Sequence, residues 1–267
     1  MRERREYLRV RGEPAMKPDT VLEAACRQAM NFEPRRCGMR PSILLLHYTG
    51  MASAEKAVDW LCGGESRVSC HYLIDDAGCI VQMVSESMRA WHAGQSYWGG
   101  ETDINSASIG IEIHNPGHGP DYRIFPEAQM RAVEALSLDI IARHRIRPER
   151  VLAHSDVAPA RKRDPGEKFD WARLGGAGVG LWREPAMIEG DAGFGRGDQS
   201  EGVARLQQAF GRYGYGIEAS GIFDDATECV VSAFQRHFRP AMVSGRADHS
   251  TTATLDRLLE ALGVSLA

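Results

Sequence analysis

Residues 108–114 read Ser108-Ile-Gly-Ile-Glu-Ile-His114. Apolar and other positions alternate strictly. Ile109, Ile111 and Ile113 fall on one side, and Gly110, Glu112 and His114 on the other, which is the period of a β-strand. The isoleucine side demands a covered face. A carboxylate in the middle of the opposite side costs free energy unless it is paired or faces a wet cleft. The stretch therefore predicts a strand and marks one of its faces as a place for chemistry.

Working outward, Ser42-Ile-Leu-Leu-Leu46 is an apolar run ending at His47, the pattern of a strand covered on both faces. Ala54, Ala57, Val58 and Leu61 then recur at helical spacing behind Ser53, a natural N-cap. His71–Ile74 and Cys79–Val84 flank Asp75-Asp-Ala-Gly78, which predicts a hairpin. Downstream, Pro126 opens a helix running to about Arg145, with Met130, Val133, Leu136, Ile140 and Ile141 at helical spacing. Val151–Ala153 is a short strand leading into His154. Strands and helices intermixed in this way predict an α/β domain of two or three layers.

The composition then changes. Residues 175–198 contain eight glycines and little apolar period, as a linker does. Three amphipathic patterns follow, carried by Val203/Leu206/Phe210/Tyr213, by Ala226/Val230/Val231/Phe234/Phe238 and by Leu255/Leu258/Leu259/Leu262. Asp225-Ala-Thr-Glu228 reads as a capping box with Asp225 in the cap. The expected organisation is a tail at 1–20, a main domain at 21–174, a linker at 175–198 and a small three-helix domain at 199–267. The last is near the lower size limit of independent stability, and docking on the main domain would support it.

Composition narrows the function. With 267 residues, 43% hydrophobic and 25% charged, the chain is globular rather than disordered. A net charge of −4 argues against a nucleic-acid partner. No apolar run approaches the roughly 18 residues of a transmembrane segment. The first eleven residues carry five Arg and two Glu, with no apolar stretch or lipid-attachment Cys behind them. The expectation is a cytoplasmic location, with periplasmic delivery by another route left open. The six Cys lack CxxC spacing and are expected to be mostly buried free thiols, although a Cys26–Cys37 bridge stays possible.

Seven of the nine His lie between His47 and His154. His47 and His154 each end a strand, and Asp164 follows ten residues after His154. Two His and a carboxylate, with water in the fourth position, satisfy a catalytic Zn²⁺, and strand ends are rigid and open on one side. The alternative is a hydrogen-bonded core His47 and an Asp164 that serves the turn before Pro165. Glu112 is either a general base toward metal-activated water or a salt-bridged strand residue. Lys162 is either a cation for a developing oxyanion or one charge of a solvated Arg161-Lys-Arg163 loop.

Taken together, Leu46–Gly50, Val68–Asp75, Arg89–Gly94, Ser108–Gly117 and His154–Trp171 resemble, in order, the motifs of the type-2 N-acetylmuramoyl-L-alanine amidases, the AmpD- and AmiD-like enzymes related to peptidoglycan-recognition proteins. The resemblance covers about residues 40–172 and implies a mixed central sheet flanked by helices. It implies that His47, His154 and Asp164 bind Zn²⁺, that Glu112 is the catalytic acid/base, and that Lys162 is the transition-state cation. It further implies a peptidoglycan or muropeptide substrate, cleaved between the lactyl group and L-Ala. Gly221–Thr227, Ala233–Phe238 and Gly245–Thr251 resemble a peptidoglycan-binding module. A non-catalytic peptidoglycan-binding protein is the rival reading.

Four further residues are assigned to substrate. Trp91 and His92 would wall the cleft, with a place in the core as the equal alternative for Trp91. Asn115 would bond glycan or peptide, with a turn role before Pro116 as its alternative, and His71 has packing as its alternative. Cys70, His114 and Ala160 depart from the family pattern. His114 is expected at the surface, with tuning of Glu112 or substrate contact as its alternative, and His144, His237 and His249 are expected to be solvated or locally bonded.

Overall fold

The computed structural model describes residues 17–188 and 190–264, so most of the expected tail at 1–20 lies outside the described residues. The chain forms two compact units. One comprises the residues up to Gly94 together with Asp103–Leu152, and the other comprises Gln95–Thr102 together with Ala153 onward.

The first unit is built on short strands: β1 (Ala24–Cys26), β2 (Phe32–Pro34), β3 (Ile43–Tyr48), β4 (Tyr72–Ile74), β5 (Ile80–Gln82), β6 (Met88–Ala90), β7 (Ser108–Ile113) and β8 (Val151–Ala153). Six form a mixed sheet in the order β1-β5-β4-β7-β3-β8, and β2 and β6 make a separate antiparallel pair. The alternating stretch that opened the reading is β7, parallel to both β3 and β4. Its central position gives both of its edges a hydrogen-bonded neighbour.

Helix α1 (Ala54–Cys62) starts at Ser53, whose side chain accepts from Lys56 N–H. It buries Ala57, Val58 and Leu61 in one cluster with Leu73 and Val81. The neighbouring position on β4 serves the other side. Tyr72 donates to the buried Glu86 (2.7 Å), which also accepts from Arg143 and His144 at the end of α3 (Glu127–His144). Alternation along one three-residue strand thus directs Leu73 to the α1 cluster and Tyr72 to a network reached from α3. Burial pushes the Glu86 pKa up, but the bonds from His144, Arg143 and Tyr72 outweigh it and hold the carboxyl at about 2. His144, expected to be solvated or locally bonded, is half-buried and belongs to this anchor. A short helix, α2 (Ile104–Ala107), leads into β7.

The second unit contains α4 (His154–Val157), α5 (Trp171–Gly176), α6 (Glu201–Tyr213), α7 (Asp225–Phe238) and α8 (His249–Ala261). The three last helices are those the sequence predicts. The cap of α7 is Asp224, one residue earlier than expected, and its carboxylate accepts from both Thr227 N–H and Thr227 Oγ1–H. The arrangement recurs 24 residues on, where Asp248 caps α8 and accepts from Thr251 N–H and Oγ1–H. In each copy a buried glutamine grips the turn: Gln207 accepts from Gly221 N–H and donates to Thr227, while Gln235 accepts from Gly245 N–H and donates to Thr251.

The unit begins at Ala153, ahead of the Gly-rich 175–198 stretch, and Asp156 supplies a reason. Its buried carboxylate accepts from Ala153 N–H (2.8 Å), Tyr215 Oη–H (2.8 Å) and His237 Nδ1 (2.7 Å). His237, expected to be solvated or locally bonded, is buried, bonded to a residue 81 positions away, and stacked on Trp171 with centroids 3.7 Å apart.

None of the described cysteines is paired, so no Cys26–Cys37 bridge forms, and only Cys62 and Cys70 are buried. Among the described residues no helix is long and apolar enough to cross a membrane.

Candidate metal centre and active site

The parallel pairing of β3 with β7 sets His47 opposite Glu112, and β4 sets Leu73 opposite the same Glu112. Register partners in parallel strands project to one face, so the imidazole and the carboxylate rise together from neighbouring strands. His47 is 1% exposed. Its Nε2 lies 3.0 Å from Nδ1 of His92. Nε2 of His92 is 3.3 Å from Ser108 Oγ, which in turn donates to the Ile104 carbonyl at 2.6 Å.

Gly110, one of the non-isoleucine positions of β7, makes room for this cluster. A Cβ there would lie 2.6 Å from His92 Nδ1 and 2.8 Å from Cys70 Sγ. The sulfur that departs from the family pattern fits because its neighbour has no side chain. Burial, followed by the charge of Glu112, pushes the Cys70 thiol well above its ordinary pKa.

His71 belongs to the packing beneath this face. It is fully buried, its Nδ1 accepts from Gly110 N–H (3.0 Å), and its Nε2 lies 3.1 Å from the Met88 carbonyl and 3.2 Å from the Arg35 guanidinium. Burial, then Arg35, pushes its pKa down to about 3, so the ring is neutral at ordinary pH. The substrate role given to His71 is therefore corrected, since both ring nitrogens are used inside the fold. Arg35, which the sequence reading missed, also donates to the carbonyls of Glu86, Ser106 and Ser108 and knits β6 to the start of β7.

Asn115 is likewise a loop builder. It is fully buried, its Nδ2 donates to the Arg123 carbonyl (2.8 Å) and its Oδ1 accepts from Gly117 N–H (3.0 Å). The turn reading is the one the structure favours. His114 is buried, not at the surface, with Nδ1 3.2 Å from Thr49 Oγ1. His92 lies inside with His47 instead of walling a cleft. Trp91 is half-buried, and its indole N–H has no hydrogen-bond partner among the described residues.

In the second unit, His154 opens α4 and its Nδ1 is 3.0 Å from Asp164 Oδ2. Both are buried, at 2% and 6% exposure. Ser155 N–H donates to the Asp164 carbonyl (3.0 Å), closing the loop that returns Asp164 to His154. Lys162, two residues before Asp164, is half-buried, and its backbone N–H donates to the Ala158 carbonyl.

Comparison with known proteins places this geometry. The N-acetylmuramoyl-L-alanine amidase family matches residues 38–167, and a peptidoglycan binding domain matches residues 199–255. N-acetylmuramoyl-L-alanine amidase AmiD of Escherichia coli is 36% identical over 249 residues, covering 89% of this chain and 87% of its own. The chain belongs to the N-acetylmuramoyl-L-alanine amidase family. The 1,6-anhydro-N-acetylmuramyl-L-alanine amidase AmpD of Haemophilus influenzae is 39% identical over 168 residues, 55% of this chain and 89% of its own. Among solved structures, AmiD from E. coli in complex with the substrate anhydro-N-acetylmuramic acid-L-Ala-D-gamma-Glu-L-Lys superposes with a TM-score of 0.72 at 35% identity, covering 90% of this chain and 94% of its own. AmpDH3 from Pseudomonas aeruginosa in complex with anhydromuramic pentapeptide gives 0.71 at 31%, covering 85% and 94%. The mixed sheet with flanking helices is the fold of these amidases.

Proposed function

We propose that this amidase is zinc-dependent and hydrolyses the amide between the lactyl carbonyl of N-acetylmuramic acid and L-Ala in peptidoglycan or its fragments. The observation that carries the reading is the register of His47 against Glu112 on neighbouring strands of an amidase-family sheet. In this reading His47, His154 and Asp164 are the ligands of the ion. Two imidazoles and one carboxylate, all buried, suit Zn²⁺, which takes N and O ligands and in catalytic sites leaves a position open.

Zinc would supply Lewis-acid activation of water and of the scissile carbonyl. Glu112 takes the proton from the attacking water as the oxygen–carbon bond forms. It returns that proton to the departing L-Ala nitrogen as the carbon–nitrogen bond breaks. Lys162 offers a cation to the oxygen that gains charge in between. Trp91, whose indole N–H has no partner among the described residues, is a substrate contact in this reading.

The solved relatives hold anhydro-muramyl peptides, which favours a muropeptide substrate. The match at 199–255 favours the polymer, and fits a catalytic domain at 21–174, a linker at 175–198 and a peptidoglycan-binding-like domain at 199–267. A cytoplasmic location is part of the proposal and is checked by cell fractionation.

The test is digestion of intact sacculi and of anhydro-muropeptides in parallel, with products identified by mass, before and after chelation and with zinc restored. Glu112→Ala should keep zinc and lose about 10²–10⁴-fold in turnover. Near wild-type hydrolysis by that variant would refute the role of Glu112. Peptidoglycan binding without metal or turnover in the wild type would favour the non-catalytic reading.

A further inference from the structure

His92 has more to do than fill space. It is one of the buried polar side chains of the first unit, its ring is set edge-on to His47 with centroids 5.1 Å apart, and its two nitrogens have different neighbours. The chain of bonds through it can be read from its far end. The Ile104 carbonyl can only accept, so the single proton of the Ser108 hydroxyl is committed to it at 2.6 Å. Ser108 Oγ can then only accept from His92 Nε2 at 3.3 Å, which places the His92 proton on Nε2. Nδ1 of a neutral His92 is therefore a lone pair, and the donor across the 3.0 Å contact is Nε2–H of His47. A neutral imidazole carries one N–H. With it on Nε2, the lone pair of His47 is on Nδ1, the form in which it can ligate a cation.

We infer that His92 is a positioning residue for the metal site. The backbone carbonyl of Ile104, relayed through Ser108 and His92, fixes both the tautomer and the ring orientation of His47, so that Nδ1 is the nitrogen presented to the metal. The inference rests on the zinc reading above. Ligating histidines generally have their second nitrogen held by a carboxylate, carbonyl or water, and loss of such a partner costs 10–100-fold in metal affinity. Here the partner is a second histidine, and the carbonyl stands two bonds further back. Gly110 is part of the device, because a Cβ at that position would sit 2.6 Å from His92 Nδ1 and 2.7 Å from its Cε1.

His47, Cys70 and His92 also form a group whose ligand atoms lie within 4.8 Å of one another. A metal held there would use His92 as a ligand, and the relay would not exist. The experiment separates the two. Long-range ¹H–¹⁵N correlation spectra of the metal-free, full-length protein, with the His47 and His92 signals assigned by substitution, should show both rings in the Nε2–H form. An Nδ1–H His47 or an imidazolium His92 overturns the inference. Zinc affinity is then measured by competition with a chromophoric chelator. His92→Phe should bind about 10–100-fold more weakly. His92→Asn, whose Oδ1 replaces the acceptor, should recover most of the loss. Ser108→Ala should fall between, with a mixture of His47 tautomers. Wild-type affinity in folded His92→Phe overturns the relay. If His92→Phe does not fold, the Ser108→Ala tautomer ratio decides. A thiolate-to-cobalt band in the Co²⁺-loaded protein that disappears in Cys70→Ser would assign the metal to the other group and overturn it as well. A wild type that binds no zinc refutes the zinc reading itself, whereas the tautomers of the metal-free protein test the relay alone.

Discussion

Replacing Asp156 with Ala removes the acceptor of three buried bonds, from Ala153 N–H, Tyr215 Oη–H and His237 Nδ1 at 2.7–2.8 Å. A buried donor left without a partner costs about 1–3 kcal/mol. The three losses are not independent, because the loosened segment can relax toward other acceptors. The range for removing one partner of a buried charged network, about 3–5 kcal/mol, is the better guide, and about 4 kcal/mol is expected. Asp156→Asn keeps the volume and one acceptor oxygen but turns an amide N–H₂ toward a donor, so about half that loss is expected. Equilibrium urea unfolding followed by tryptophan fluorescence measures both, since Trp171 stacks directly on His237. The midpoint should fall at unchanged slope, in the order wild type, Asn, Ala. A loss under about 0.5 kcal/mol for Asp156→Ala, the scale of an ordinary surface change, would refute the account of this carboxylate as the anchor of the unit.

Acid should unfold the protein from pH 6.5 downward. His71 and Glu86 have folded pKa values pushed down to about 3 and about 2, against ordinary values of 6.5 and 4.5, so the unfolded chain binds more protons in both windows. Stability is complete above pH 6.5. It falls through His71 by up to about 1.4 kcal/mol per pH unit toward pH 3, and Glu86 adds its own loss from 4.5 toward 2. A urea midpoint that stays flat from pH 7 to pH 4 would contradict this. Gly110→Ala should cost about 1–3 kcal/mol by overpacking against His92 and Cys70, and Cys70→Ala in the same chain should restore only part, because the imidazole stays in place; thermal melts decide. Asp224→Ala should cost about 1 kcal/mol as the loss of a helix cap, while Asp225→Ala, whose partner Arg196 is exposed, should stay within about 0.5 kcal/mol; the reverse order would restore Asp225 as the cap.

Much of the fold is legible because it is periodic. The strict alternation of residues 108–113, the run into His47 and the heptad-like spacing of α3 and α6–α8 each announce which face is covered. Pairing across long separations has no such signal. Asp156 looks like one acidic residue in a loop until His237 is brought to it, and Glu86 like a polar residue after a strand until Arg143 arrives. The histidines show the same limit. His92 and His71 occur in recognisable motifs, yet the motif does not say whether a ring faces outward or holds another ring. The two Asp-x-x-Thr caps were open to a direct comparison, since Ser220–Thr227 and Ser244–Thr251 share Ser-Gly and Asp-x-x-Thr at equal spacing. Aligning the two stretches places the cap at Asp224.

The Asp156 anchor also sets an order of events during biosynthesis. Asp156 leaves the ribosome 81 residues before the histidine that satisfies it. Until α7 has been made, the buried carboxylate beside His154 lacks His237, one of the three donors that satisfy it. A chain terminated before α7 is therefore not a smaller enzyme with one module missing. It is a chain whose His154–Asp164 segment lacks part of its brace, with a greater exposure to proteases than the full-length protein.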